Sequence, residues 1–368
     1  MAMVVVRPVK PGDLDSLVAM ANRGGIGLTS LPKTRDLFRR RIHESLASFQ
    51  STAKTPQNEV YLFVMEDLDT GQTVGTSCIV SKVGAGEPFY TYRIETCVHE
   101  SEMLQIRKEI QTLRLLVTHD GPSEIGGLFL APEYRKHGAG RLLSLFRFLF
   151  MAEHRQRFES LVIAEMRGVL DDQGVSPFWE ALGRHFFDMD YPRADYLTMV
   201  DKRFIADLMP TCPIYVPMLP KEAQDVIGQV HEQTKPALKL LTDEGFRFSN
   251  MVDIFEGGPV IHCDLDEVRI VKESRRGTVS RLASEEIQSV PFIIATTNKE
   301  FRACAGALDE HDDKLRITAE VGRALGISAG AVKIRLHRAR ERLKEKLLAH
   351  CDSYWVEENE FLPELKIP

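Results

Sequence analysis

Residues 124–155 read EIGGLFLA, PEYRKHGAG and RLLSLFRFLFMAEHR: a hydrophobic strand, a loop carrying Gly138 and Gly140, and a long apolar helix. A strand that feeds through a glycine loop straight into a helix limits the chain to folds in which the two pack on each other. The glycines let the backbone come close to a ligand. The unpaired N–H groups of the helix's first turn attract negative charge, so a pyrophosphate can sit there with Arg135 beside it. The spacing R-x-x-G-x-G is not the dinucleotide pattern G-x-G-x-x-G, and it does not open a βαβ unit. It follows antiparallel strands instead. EVYLFVME (59–66) and TVGTSCIVSKV (73–83) are joined by DLDTGQ, whose Asp and Gly mark a hairpin turn, and YTYRIETCV (90–98) supplies a third strand.

Around this unit the order of elements is mixed. The chain opens with a short strand and a turn in which Asp13 caps a helix with apolar positions at Leu14, Leu17, Val18 and Ala21, ended by Gly24 and Gly25. After the loop come a buried strand, LVIAEMRG (161–168), and a helix, SPFWEALGRHFF, capped by Ser176 with Pro177 at its first position. KPALKLLTDEGFRFSNMVDIF (235–255) echoes that helix and leads into another strand. From about 265 the text becomes short strand-like pieces, VRIVKES, TVSRL and VPFIIATT. These signals predict an α+β fold with boundaries at 1–200, 201–262, 263–330 and 331–368.

Composition narrows the function classes. The 368 residues are 43% hydrophobic and 27% charged, which excludes a mainly disordered or coiled-coil chain. With 47 Lys+Arg against 53 Asp+Glu the net charge is −6, so any basic site is local. No window approaches a membrane span, and the start is soon interrupted by charge, so a cytoplasmic protein without membrane contact is expected. Six cysteines without a CxxC pair predict reduced, mostly buried thiols and no metal site.

Long phrases then carry a resemblance: GLTSLP (27–32), YRIETCVH (92–99), LFLAPEYRKHGAGRLLS, VIAEMRGVLDDQGVSPFWEALGRHFFDMDYPRAD (162–195), LMPTCPIY (208–215), EAQDVIGQVHEQTKPALKLLTDEGFRFSNMVDIFEGGP (222–259) and CDLD (263–266). Over residues 4–300 the chain resembles the arginine N-succinyltransferase branch of the GNAT acyltransferase superfamily, in its alpha-type chain. The resemblance implies a GNAT-like mixed sheet flanked by helices. It also implies transfer of a succinyl group from succinyl-CoA, a co-substrate rather than a tightly bound cofactor, to the α-amino group of L-arginine. By the same resemblance the Arg135–Gly140 loop holds the CoA pyrophosphate through Arg135, Gly138 and Gly140. The backbone N–H of Leu128 holds the thioester carbonyl, and His231 is the proton donor, a role its ordinary pKa near 6.5 suits. The family suggests a homo-oligomer, or a hetero-oligomer with a sister chain.

Arginine demands carboxylates for its guanidinium and cations for its carboxylate. Glu165, Asp195, Asp253 and Glu256 are candidates for the first role, and Arg93, Arg167 and Arg193 for the second. GGIGLTSLP is a candidate lining of the acceptor site. Ornithine or a related amine is the alternative acceptor.

The end of the chain departs from this pattern. TAEVGRALGISAGAVKIRLHRARERL has helix–turn–helix spacing and resembles the end of sigma factor region 4, with Ala319–Leu325 as first helix and a basic recognition helix from Ala331. Lys333, Arg335, Arg338, Arg340, Arg342, Lys344 and Lys346 stand there against Glu341 and Glu345. A competing reading makes AVKIRL a strand, which β-branched Val332 and Ile334 favour. Nucleic acid is not the expected partner; a DNA-binding regulator with a degenerate acyltransferase sensor is the alternative from another class.

Overall fold

The computed structural model describes residues 3–23, 34–171, 173–283, 287–298, 300–311, 314–327, 332–338, 354–357 and 360–363. The chain divides into two compact units, Met1–Glu273 and Ser274–Pro368. Among the described residues no helix is long and apolar enough to cross a membrane.

The first unit is built on β1 (Val4–Pro8), β2 (Val60–Asp67), β3 (Thr73–Val80), β4 (Phe89–Ser101), β5 (Ile106–Thr118), β6 (Ser123–Leu130), β7 (Leu161–Glu165), β8 (Ile214–Tyr215), β9 (Arg247–Asp253) and β10 (Pro259–Asp264). They lie in the order β1-β2-β3-β6-β7-β10-β9-β4-β5-β8. Every neighbouring pair is antiparallel except β6 and β7, which run parallel. The predicted β2–β3 hairpin is present. β5 and the helix Arg35–Gln50 carry no motif comparable to the glycine loop and extend the expected set.

Helices cover both faces around β2. The helices α1 (Leu14–Arg23) and α2 (Arg35–Gln50) pack Leu17, Met20, Phe38 and Ile42 onto Leu62, Val64, Cys78 and Phe129. On the other face α3 (Ala139–Glu153) sets Phe146 and Phe150 at 4.8 and 5.1 Å from Phe63. Leu142 to Met151 are buried without a break, as expected of a helix apolar all round. Burying both faces is why VYLFVMED reads as a continuous apolar run rather than an alternating one.

A second core carries the short helices α4 (Pro177–Ala181), α5 (Gly183–Phe187), α6 (Tyr191–Thr198), α7 (Arg203–Leu208) and α8 (Lys221–Val226). The predicted single helix over SPFWEALGRHFF breaks at Leu182, which leaves helical backbone at φ −129° and ψ −74°. The cap is as expected: the buried Ser176 Oγ accepts from the Trp179 N–H at 3.1 Å. The Trp179 ring stacks on Phe187 and Phe255, both at 5.4 Å. Next come α9 (Lys235–Asp243), which leads into β9 as the sequence predicts, and α10 (Arg269–Glu273).

That last helix corrects an expectation. VRIVKES reads as a strand from its β-branched residues, yet Arg269–Glu273 is helical. The Glu244 side chain, fully buried, accepts from the Ile270 N–H at 2.8 Å and pairs with the Arg269 guanidinium. An anion bonded to first-turn amides stabilises a helix start, and here that tertiary contact outweighs local propensity.

The second unit is a sheet of β11 (Arg275–Ala283), β12 (Phe292–Thr296), β13 (Ala303–Gly306), β14 (Leu308–His311), β15 (Lys314–Thr318) and β16 (Val332–Arg338) with α11 (Ala319–Leu325). Their order is β14-β15-β11-β16-β12-β13. TVSRL and VPFIIATT fall in β11 and β12. The first helix of the helix–turn–helix reading exists, but the recognition helix does not begin at Ala331, because Val332–Arg338 is a strand between β11 and β12. Ile334 and Leu336 are buried while Lys333 is exposed, the alternation of a sheet. Residues 339–353 lie outside the described residues, and β17 (Tyr354–Glu357) pairs with β18 (Glu360–Pro363) in a separate hairpin.

Candidate active site

The parallel pair β6–β7 is joined at Ser123↔Val162 and Glu124↔Ile163 and no further. Beyond that point β6 continues to Leu130, and its edge toward β7 has no ladder partner. The two strands open as a V.

A bulge aims β6 into this opening. Its register with β3 shifts between Thr76 and Cys78, and Gly127 adopts φ +61°, where a side chain is strained. A Cβ built there would stand 2.9 Å from the Cys78 Cβ. The Thr76 hydroxyl donates to the Gly127 carbonyl at 2.9 Å, which turns that carbonyl toward β3. Half-buried Leu128 follows on the open stretch of β6.

The glycine loop starts where β6 ends. Arg135 Nε donates to the Leu130 carbonyl at 3.0 Å while the Arg135 side chain stays exposed. Tyr134 donates its hydroxyl proton to Asp67 at 2.6 Å, fixing the preceding turn. Gly138 at φ +81° is the N-cap of α3, and a Cβ on it would meet nothing within 4 Å. The first turn of α3 contains no acidic residue. The Ala139 N–H reaches the Lys136 carbonyl at 3.4 Å, and the first amides of a helix have no intrahelical acceptors, which suits an anion.

The end of β7 gathers the other groups. The Arg167 carbonyl accepts from the His231 backbone N–H at 2.9 Å, which ties His231 to this lip of the V. The Gly168 N–H donates to Glu256 Oε1 at 2.6 Å, and Tyr191 donates its hydroxyl proton to Glu256 Oε2 at 2.8 Å. Asp253 Oδ1 accepts from the amides of Phe255 and Glu256 at 2.7 and 2.8 Å.

Four carboxyls share this region. Burial, then repulsion from Glu124 and Asp253, pushes Glu165 well above the usual carboxylate range. Burial likewise raises Glu124 and Asp253, and burial with repulsion from Asp253 pushes Glu256 up to about 7. Glu165, at the end of β7, keeps an exposed side chain, so its carboxyl is open to solvent on one side. Lys202 and Arg41 are the cations that act on Glu124, and Lys202 also acts on Glu165.

His231 is half-buried, and its Nδ1 accepts from the Gln233 N–H at 3.1 Å. That bond places the proton of the neutral ring on Nε2. Burial and the neighbouring Arg167 guanidinium hold its pKa below the ordinary value.

Of the residues read from sequence, Glu165, Asp253, Glu256, Arg167 and His231 come together at the exit of β7. Asp195 acts on Tyr191 and through it adjoins the group. Arg93 and Arg193 have exposed side chains. GGIGLTSLP lies outside the described residues. Glu124, Tyr191 and Lys202 join the site without having been singled out, since only the V places residue 124 opposite 165.

Comparisons with known proteins identify the family. Residues 4–270 match the family model described as arginine N-succinyltransferase beta subunit, and residues 275–332 match that subunit's C-terminal domain. The chain belongs to the arginine N-succinyltransferase family. The family model is described for a beta subunit, and its C-terminal part reaches residue 332, into the stretch that the sequence reads two ways. Arginine N-succinyltransferases of Escherichia coli strain 55989 and of Shigella flexneri are each 44% identical over 339 residues, covering 91% of this chain and 98% of those proteins. The structure of arginine/ornithine succinyltransferase subunit AI from Pseudomonas aeruginosa superposes with a TM-score of 0.84 at 35% identity, covering 93% of this chain and all of that one.

Proposed function

We propose that this arginine N-succinyltransferase takes succinyl-CoA into the β6–β7 opening and passes its succinyl group to the α-amino group of L-arginine. The carrying observation is the open parallel pair, which has the bulge at Gly127 on one lip and the His231 tether on the other. The CoA pyrophosphate lies on the first-turn amides of α3 at Gly138 and Gly140 with Arg135 beside it. The Leu128 N–H holds the thioester carbonyl and stabilises the oxyanion as the amine attacks.

The carboxyl-lined cleft is the acceptor side. Glu165 and Glu256 face the guanidinium, with Asp253 orienting the turn that carries Glu256. Lys202 faces a substrate carboxylate. The ammonium of the incoming arginine gives one proton to a carboxylate of this group, and the neutral amine then adds to the carbonyl. The second amine proton passes to another carboxylate of this group as the bond to sulfur breaks, and the thiolate departs hydrogen-bonded to the His231 Nε2–H, taking its proton from solvent. The reading leaves oligomeric contacts and ornithine use to experiment.

The test is thiol release from succinyl-CoA with L-arginine and with L-ornithine, in the intact chain and in His231→Ala. Turnover with arginine and a kcat lowered about 100-fold in the variant are expected from loss of a hydrogen-bond donor positioned at the developing thiolate. Equal kcat in both proteins would remove His231 from the chemistry.

A further inference from the structure

Succinyl-CoA differs from the thioester of a neutral acid at the far end of its acyl group, which carries a carboxylate. A site that prefers it must place a cation there, and a guanidinium matches a carboxylate in charge and in geometry. With the thioester carbonyl at the Leu128 N–H, as proposed above, length sets where that carboxylate falls. Three carbon–carbon bonds of about 1.5 Å join the two carbonyl carbons, so the acyl chain spans about one to two strand residues at roughly 3.3 Å each. Toward the end of β6 the strand is covered, since Phe129 and Leu130 are buried. In the other direction lie half-buried Gly127 and Gly126, which have no side chains to fill the space.

A cation stands beside this notch. α2 turns Phe38, Ile42, Ser45 and Ser48 to the sheet. The hydroxyls of Ser45 and Ser48 accept from the Leu62 and Val60 N–H groups at 2.8 and 2.9 Å, which fixes the helix on β2. Arg41, one turn after Phe38 and one turn before Ser45, lies on that same side of the helix and is half-buried. Phe38 and Ile42 share a cluster with Cys78, the residue paired with Gly126. The Arg41 guanidinium accordingly acts on the Cys78 thiol and on Glu124. Glu124 Oε1 lies 3.6 Å from the point that a Cβ on Gly126 would occupy.

Lys202 reaches toward the other strand. It acts on Glu165 of β7 as well as on Glu124, and Arg40 Nη2 holds the turn before it by donating to the Met199 carbonyl at 2.8 Å. The two cations thus serve two carboxylates, Lys202 that of the amine and Arg41 that of the acyl group. Glu124 does not bar the second. Burial raises it, so it takes up a proton readily and can donate to an arriving carboxylate.

We propose that Arg41 selects the acyl donor by binding the free carboxylate of the succinyl group beside Gly126 and Gly127. Butyryl-CoA is the probe, since it keeps the chain length and replaces that carboxylate by a methyl group. With L-arginine as acceptor, the unaltered chain should show a kcat/KM at least about 100-fold higher for succinyl-CoA than for butyryl-CoA, the effect of a charge-assisted bidentate pair. Arg41→Met should lose about 100-fold with succinyl-CoA and stay within about threefold with butyryl-CoA, so that the preference disappears. Arg41→Lys keeps the charge without the fork and should recover part of it. Equal use of both donors by the unaltered chain, a preference that survives Arg41→Met, or a fall shared equally by both donors would overturn the proposal. Because the proposal rests on the reading of the site given above, His231→Ala is assayed beside it. A His231→Ala protein as fast as the parent overturns that reading, whereas a slowed one together with a preference kept in Arg41→Met overturns the role of Arg41 alone.

Discussion

Gly127→Ala tests whether the bulge in β6 positions the reacting carbonyl. At φ +61° an alanine accepts the left-handed region at a cost of about 1 kcal/mol. Its Cβ would also stand 2.9 Å from the Cys78 Cβ, and both atoms are fixed to strand backbone, so one strand must move. Overpacking of this kind costs about 1–3 kcal/mol. The sum, about 3 kcal/mol, should lower the melting temperature by roughly 6–12 °C for a unit of this size. Cys78→Gly removes the collision but not the backbone strain. A double-mutant cycle should therefore show a coupling of about 1–2 kcal/mol between the two sites, measured by denaturant unfolding. The same strand shift displaces the Leu128 amide, so kcat for succinyl transfer should fall about 100-fold, the effect of losing one oxyanion donor. The KM for arginine should change far less. A Gly127→Ala protein with unchanged melting temperature and kcat would refute the assignment of Leu128 as well as the strain argument.

Two further outcomes follow from the same unit. Glu256 has a folded pKa of about 7, above its unfolded value, so its contribution to stability is present below about pH 4.5 and is lost as pH rises to about 7. Glu256→Gln stays neutral and should gain about 3 kcal/mol over the parent at pH 8 and nothing at pH 4, read from urea unfolding at both pH values. Ser176→Ala removes the cap of α4 and should cost about 1 kcal/mol, seen as a lower urea midpoint with an unchanged slope.

The proposed donor half of the site could be read from the sequence because it is local. Strand, glycine loop and helix are consecutive, and the free amides of α3 follow from Gly138 and the absence of a first-turn acid. The proposed acceptor half draws on residues 124, 165, 202, 253 and 256, which lie on separate elements, so no spacing announces it. The resemblance brought Glu165, Asp253 and Glu256 into view, but Glu124 is ordinary strand sequence until β7 is seen to splay from β6. Local signals misled where tertiary contacts decided: Glu244 makes a helix of the β-branched VRIVKES. At Val332–Arg338 the competing signals were real, and the alternation of Ile334 and Leu336 with Lys333 and Arg335 settled in favour of a central strand.

The crowding of carboxyls has a consequence for how substrate binds. In the empty cleft Glu124, Glu165, Asp253 and Glu256 cannot all ionise cheaply, because burial and mutual repulsion raise each of them. A guanidinium is a permanent cation with planar donors suited to carboxylates. Its arrival between Glu165 and Glu256 favours their charged forms, lowers their pKa values and expels protons to solvent. Arginine binding should therefore release protons at pH 6 to 7, where Glu256 is at least half protonated, and release fewer near pH 9, where that carboxyl is already ionised. Isothermal calorimetry in two buffers of different ionisation enthalpy reads this number directly, with CoA present and no acyl donor to turn over. Glu256→Gln should abolish most of the release. Proton uptake, or none at any pH in this range, would mean that the guanidinium does not meet these carboxyls and that the acceptor lies elsewhere along the cleft.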